Sequence, residues 1–69
     1  MPSAVIRAIS YDDLTRTLFV TFTSGDLYAY IEVPAQTYAD FRGAFSKGQY
    51  FAKHVRDRYA YRQIDPDAL

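Results

Sequence analysis

Between Lys47 and Arg62 the chain interleaves positive charge with flat rings: Lys47, Tyr50, Lys53, His54, Arg56, Arg58, Tyr59, Tyr61 and Arg62. Cations of this kind track a phosphate backbone, and rings of this kind stack exposed bases. The flanking charges sharpen the pattern. Residues 1–45 hold three cations against five carboxylates, residues 46–64 hold five cations against Asp57 alone, and Asp65 and Asp67 bring the net charge of the 69 residues to zero. A basic segment inside a neutral chain points only weakly to an anionic partner.

No catalytic set assembles from the remaining reactive side chains. His54 is the one histidine, and the only carboxylate within a helical turn of it is Asp57 at i+3. Asp12 and Asp13 are adjacent in a turn-forming cluster, so they point apart, and a third metal ligand is not visible. Ser46-Lys47-Gly48 lacks the glycine spacing of a phosphate-binding loop and leaves only a helix N-terminus with a lysine beside it. The expectation is a non-enzyme with no cofactor, no metal and no small-molecule substrate.

Sixty-nine residues make one domain with a marginal core, and a surface function suits that size better than a deep cleft. Seven Tyr and five Phe argue for a folded chain, because rings bury the most area per residue. The lack of cysteine excludes disulfides and thiolate chemistry and fits a cytoplasmic protein. Met1-Pro2-Ser3 precedes no long apolar run, so neither a secretory signal nor a membrane span is expected.

The elements that must position these residues are legible in order. Ala4 to Tyr11 reads as a strand, followed by a turn over Tyr11–Arg16. Thr17–Thr23 alternates, with Leu18, Val20 and Phe22 on one face and Phe19 on the other. If Thr23-Ser24-Gly25 is a three-residue loop with Gly25 in the left-handed region, Tyr28 faces Val20 and Tyr30 faces Leu18; a two-residue loop would send both tyrosines to the other side. Glycine at the third loop position favours the first register. Pro34 belongs in a helix's first turn, with Tyr38, Phe41 and Ala44 or Phe45 forming its apolar stripe. Ser46 and Gln49 make a capping box for a second helix, with Phe45 and Tyr50 at the staple positions and Phe51 and Val55 on its inward edge. Arg58 to Ile64 is too short and mixed to assign. The fold class is α+β: a three-stranded antiparallel β-meander followed by two short helices packed on the sheet, as one domain over residues 3–64 with a loose tail at 65–69.

Tyr11-Asp12, Leu18-Phe19-Val20-Thr21-Phe22 with Gly25, Tyr28-Ala29-Tyr30, Val33-Pro34, Tyr38, Ser46-Lys47-Gly48-Gln49-Tyr50-Phe51 and Val55-Arg56 with Tyr59 together resemble the KTSC domain family over about residues 3–62. The family takes its name from the C-terminal extension of some lysyl-tRNA synthetases and also occurs as free-standing small bacterial proteins. The resemblance implies the same strands-then-helix fold and no established activity. Phe19 departs from the family's usual polar residue there.

Two surfaces emerge as candidates. Phe19, Leu27 and Ile31 fall on the sheet face away from the first helix, where an apolar patch would serve a homodimer or another protein partner. Lys47, Tyr50, Lys53, Arg56, Arg58, Tyr59 and Arg62 would serve a sequence-tolerant contact with RNA. The interaction module is the leading reading and RNA binding the alternative. Loss of the predicted N-cap in Ser46→Ala should cost about 1 kcal/mol, read as a lowered urea midpoint at unchanged slope.

Overall fold

The computed structural model describes residues 6–65 and residue 67. Its elements run β1 (Ile6–Asp12), β2 (Thr17–Phe22), β3 (Leu27–Tyr30), α1 (Ala35–Gly43), α2 (Lys47–His54) and β4 (Tyr61–Ile64). All four strands form one antiparallel sheet in the order β1-β2-β3-β4. The expected α+β class is therefore present, but the sheet has four strands rather than three. Arg58–Ile64, which has no assignable pattern in the sequence, returns to the open side of β3 and pairs Tyr61 with Tyr30 and Ile64 with Leu27. A strand of four mixed residues carries almost no pattern of its own; the unpaired backbone groups along β3 draw it in. The expected start of β1 at Ala4 and most of the expected tail lie outside the described residues.

The β2–β3 turn sets the register. Phe22 N–H donates to the Asp26 carbonyl at 2.9 Å, Gly25 N–H donates to the Phe22 carbonyl at 2.9 Å, and Gly25 has φ +96°. This is the three-residue loop, and Val20 accordingly pairs with Tyr28 and Leu18 with Tyr30. A β-carbon at Gly25 would meet nothing within 4 Å, so the glycine is needed for its backbone conformation and not for space. On the other side of β2, Asp12 Oδ1 accepts from Leu14 N–H at 3.0 Å and closes the β1–β2 turn.

One sheet face carries the core: Leu18, Val20 and Tyr30 pack with Val33, Phe41, Phe51 and Val55, all buried. α1 lies toward β1, where Tyr38 stacks on Tyr11 with centroids 5.1 Å apart. Pro34 stands one place earlier than expected, as the residue capping α1 (φ −64°, ψ 149°), with its carbonyl accepting Thr37 N–H at 3.0 Å. The apolar stripe ends at Phe41, because Ala44 is extended and Phe45 projects fully into solvent.

α2 begins at the expected N-cap, with Ser46 Oγ accepting from Gln49 N–H at 3.2 Å, but the reciprocal bond of a capping box, from Ser46 N–H to the Gln49 side chain, is not formed. The expected Phe45–Tyr50 staple is absent. Tyr50 stacks on Phe41 at 5.2 Å instead, joining the helices, and the extended link at Ala44 turns Phe45 away.

The Tyr11 hydroxyl donates to the carbonyl of Val33, a fully buried residue 22 positions on, and so ties β1 to the lead-in of α1. Tyr11→Phe keeps the ring but orphans that carbonyl. It should lower stability by about 1–2 kcal/mol in urea unfolding, whereas an unchanged midpoint would show that the bond contributes nothing.

Candidate functional site

Six of the seven tyrosines sort by what their hydroxyls do; the seventh, Tyr38, stacks on Tyr11. Tyr11 bonds Val33, Tyr50 donates to the Thr37 carbonyl at 3.4 Å, and Tyr59 shares a 3.3 Å bond with Thr37 Oγ1. These three brace α1. Tyr28, Tyr30 and Tyr61 instead direct their rings into one cleft, and among the described residues their hydroxyls have no hydrogen-bond partner and none is sealed from water. Polar tips left free on an otherwise apolar wall are the usual way a site orients what it binds.

The cleft encloses about 550 Å³. Its wall is a chain of ring contacts: Phe51 meets Phe22 edge-on at 5.4 Å and Tyr30 at 5.7 Å, Phe22 meets Tyr28 at 5.4 Å, and Tyr61 lies tilted against Tyr28 at 5.5 Å and Tyr30 at 5.4 Å. The β2–β3 turn contributes Thr23, Ser24 and Asp26, and the turn after α2 contributes Arg56 and Asp57. The backbone fixes that second turn: the N–H groups of Val55 and Arg56 both donate to the Phe51 carbonyl, and Arg58 N–H donates to the Val55 carbonyl. Phe51 packs inward as the end of the core, and beyond it the helix-side face of β4 is left open. Tyr61 is accordingly 57% exposed, while its cross-strand partner Tyr30 is only 3% exposed.

Burial, with the neighbouring Tyr61 and Tyr28, pushes the Tyr30 hydroxyl up to about 12. Burial and then the Asp40 carboxylate also raise Tyr50. Arg56 Nε stands 3.8 Å from Asp57 Oδ2 with both side chains well exposed, a loose pair of little energetic weight. Asp26 accepts from Ser24 Oγ at 3.0 Å and Gln63 Nε2 at 3.3 Å, both neutral donors.

The residues expected to contact RNA are dispersed. Lys47 is half-buried and its ammonium donates to the Ala44 carbonyl at 2.9 Å. Tyr50 and Tyr59 are held against α1, with Tyr50 also 4.6 Å from the His54 ring. Lys53 is exposed and shares a second, smaller depression with Phe45, Tyr50 and His54. Arg56 lines the aromatic cleft, and Arg58 is exposed in the turn after α2. Arg62 pairs with Ala29, which puts it on the sheet face opposite the helices.

Among the described residues that opposite face has no helix on it, since α2 joins the same core layer as α1. Phe19 pairs with Ala29 and Thr21 with Leu27, so the expected neighbours do meet. Phe19, Leu27 and Ile31 are half-buried, and Ala29, between Phe19 and Arg62 in register, is 1% exposed. The aromatic cleft has no counterpart in the sequence pattern. The register set by Gly25 gathers Phe22, Tyr28 and Tyr30 into one layer, but Tyr61 joins them only through a strand with no recognisable signal.

A model of the KTSC domain matches residues 2–59. A lysine–tRNA ligase of Nostoc punctiforme is 38% identical over 61 residues, 88% of this chain but 11% of the ligase, and one from Nostoc sp. is 39% identical over 59 residues, 10% of its length. The chain thus spans about a tenth of these relatives. A protein of Tsukamurella paurometabola is 35% identical over 57 residues, covering 83% of this chain and 85% of its own. The crystal structure of a KTSC domain protein from Yersinia pestis superposes with a TM-score of 0.88 at 31% identity, covering 94% and 92% of the two chains. Among the described residues no helix is long and apolar enough to cross a membrane.

The raised Tyr30 hydroxyl has a measurable consequence. Its neutral form is favoured on folding, so the stabilisation it contributes is complete below pH 10 and is lost as pH rises toward 12. Ultraviolet titration should show one phenol ionising last, near pH 12, and Tyr30→Phe should remove that step. A step that survives the substitution would assign it elsewhere.

Proposed function

The chain belongs to the KTSC domain family, and we propose that this member is an interaction module without catalytic chemistry of its own, which receives a segment of a protein partner in the aromatic cleft. The observation that carries this reading is the convergence of three tyrosine hydroxyls with no partner among the described residues, Arg56 and Asp57 on a cleft of about 550 Å³ that α1 and α2 leave open. A volume of that size admits one or two side chains with their backbone. Relatives in which the domain forms a tenth of a large ligase, or most of a small protein, support a role separable from any one catalytic body.

Sequence-tolerant RNA binding is the second reading, favoured by one feature of the structure: Phe45 stands fully exposed beside the depression that holds Lys53 and His54. A ring with a free face next to cations can stack a base. Two carboxylates at the aromatic cleft and the dispersal of Lys47, Arg56 and Arg62 weigh against a continuous phosphate track. A homodimer through Phe19, Leu27 and Ile31 has less exposed area to use than the alternating pattern promises.

Capture of partners from the source cell by the whole chain separates these readings. Tyr61→Ala should abolish protein capture, while Phe19→Glu and the double variant Lys53→Glu/Arg58→Glu should retain it. Retention of RNA that declines with salt and disappears only in the double variant would favour the RNA reading. Loss confined to Phe19→Glu, with a halved mass in sedimentation, would favour the dimer.

A further inference from the structure

We infer that the occupant of the aromatic cleft is a cationic side chain, a guanidinium foremost, presented by the partner polypeptide. This rests on the cleft being the docking site and goes on to name what it recognises. The lining holds two carboxylates, Asp26 and Asp57, against one cation, Arg56. Among the described residues Asp26 is bonded to neutral donors alone, so no cation there cancels its charge. Arg56 reaches Asp57 only at 3.8 Å and through Nε, leaving that carboxylate able to accept a better-placed partner.

The rings add to the same sign. Five aromatic side chains surround the space, three of them tyrosines, and an aromatic ring attracts a cation to its face through its quadrupole. A planar guanidinium can lie along the tilted Tyr28–Tyr61–Tyr30 rings, whose neighbouring centroids are 5.4–5.5 Å apart, and still extend N–H groups to phenol oxygens and to a carboxylate. The free tyrosine hydroxyls are acceptors as well as donors. An anion in the same place would meet two carboxylates and a buried phenol whose ionisation is already disfavoured. A purely apolar side chain would leave the hydroxyls without partners and cut them off from water.

The test uses the whole chain, two capped pentapeptides and the aromatic resonances of Tyr28, Tyr30 and Tyr61. One peptide carries a single central arginine; the other carries citrulline, the same shape without charge. The arginine peptide should shift those resonances saturably, the citrulline peptide should bind at least about tenfold more weakly, and Tyr61→Leu or the double variant Asp26→Asn/Asp57→Asn should weaken the arginine peptide by about fivefold or more. Equal binding of the two peptides overturns the inference and leaves the docking site standing. If neither peptide shifts the resonances, the inference again fails, and partner capture unaffected by Tyr61→Ala removes the docking site with it. Saturation of the same signals by oligouridylate at lower concentration than by the arginine peptide overturns it in favour of RNA.

Discussion

The register of the β2–β3 hairpin is the constraint on which the rest of the molecule depends. A strand's side chains alternate, so a slip of one residue would carry Tyr28 and Tyr30 from the helix-bearing face to the other and leave Leu18 and Val20 opposite Ala29 and Leu27. Gly25, at φ +96°, holds the three-residue turn that prevents the slip. That one backbone conformation produces the layer of Leu18, Val20, Phe22, Tyr28 and Tyr30, which is both the ground on which the helices rest and the wall of the cleft.

The helices in turn are too short to be stable alone. They are held by the sheet on one side and by each other on the other, through Phe41 of α1 meeting the Tyr50 and Phe51 rings of α2. Hydroxyls of Tyr11, Tyr50 and Tyr59 fasten α1 and its lead-in to β1, α2 and the segment before β4. The aromatic content that offsets chain entropy in so small a domain thus has two employments. Toward β1 and α1, Tyr11, Tyr50 and Tyr59 are both packed and hydrogen-bonded and Tyr38 is packed by stacking, whereas the rings toward β3 and β4 are packed along one side and open along the other. The second group is the one proposed to bind, because its polar tips are not engaged by any described residue.

Much of this is legible in the residues, and for identifiable reasons. Alternation in Thr17–Phe22, the glycine at the third loop position and the Ser46–Gln49 pair each encode structure locally, and each is found in place. What the residues do not disclose is non-local. β4 exists because β3 has an unpaired edge, and no property of Tyr61-Arg62-Gln63-Ile64 by itself announces it. Without β4, Tyr61 reads as one of a run of basic and aromatic residues, although pairing puts Tyr61 in the cleft and Arg62 on the opposite face. Phe45 likewise has the spacing of a staple, and the extended conformation at Ala44 decides otherwise. Alternation alone implies an uncovered apolar patch on the outer face; Phe19, Leu27 and Ile31 are half-buried there, which reduces what it offers.

The central claim is that partners meet this domain at the aromatic cleft and not at the outer sheet face or the exposed Phe45. Hydroxyl-radical footprinting of the chain with and without its captured partner tests this directly, since phenylalanine and tyrosine rings are the labelled groups and all three surfaces carry one. Protection of Tyr28 and Tyr61 on complex formation, with Phe19 and Phe45 modified as fast as in the free chain, is the result the account predicts. Protection of Phe19 or Phe45 with Tyr61 unchanged would contradict it.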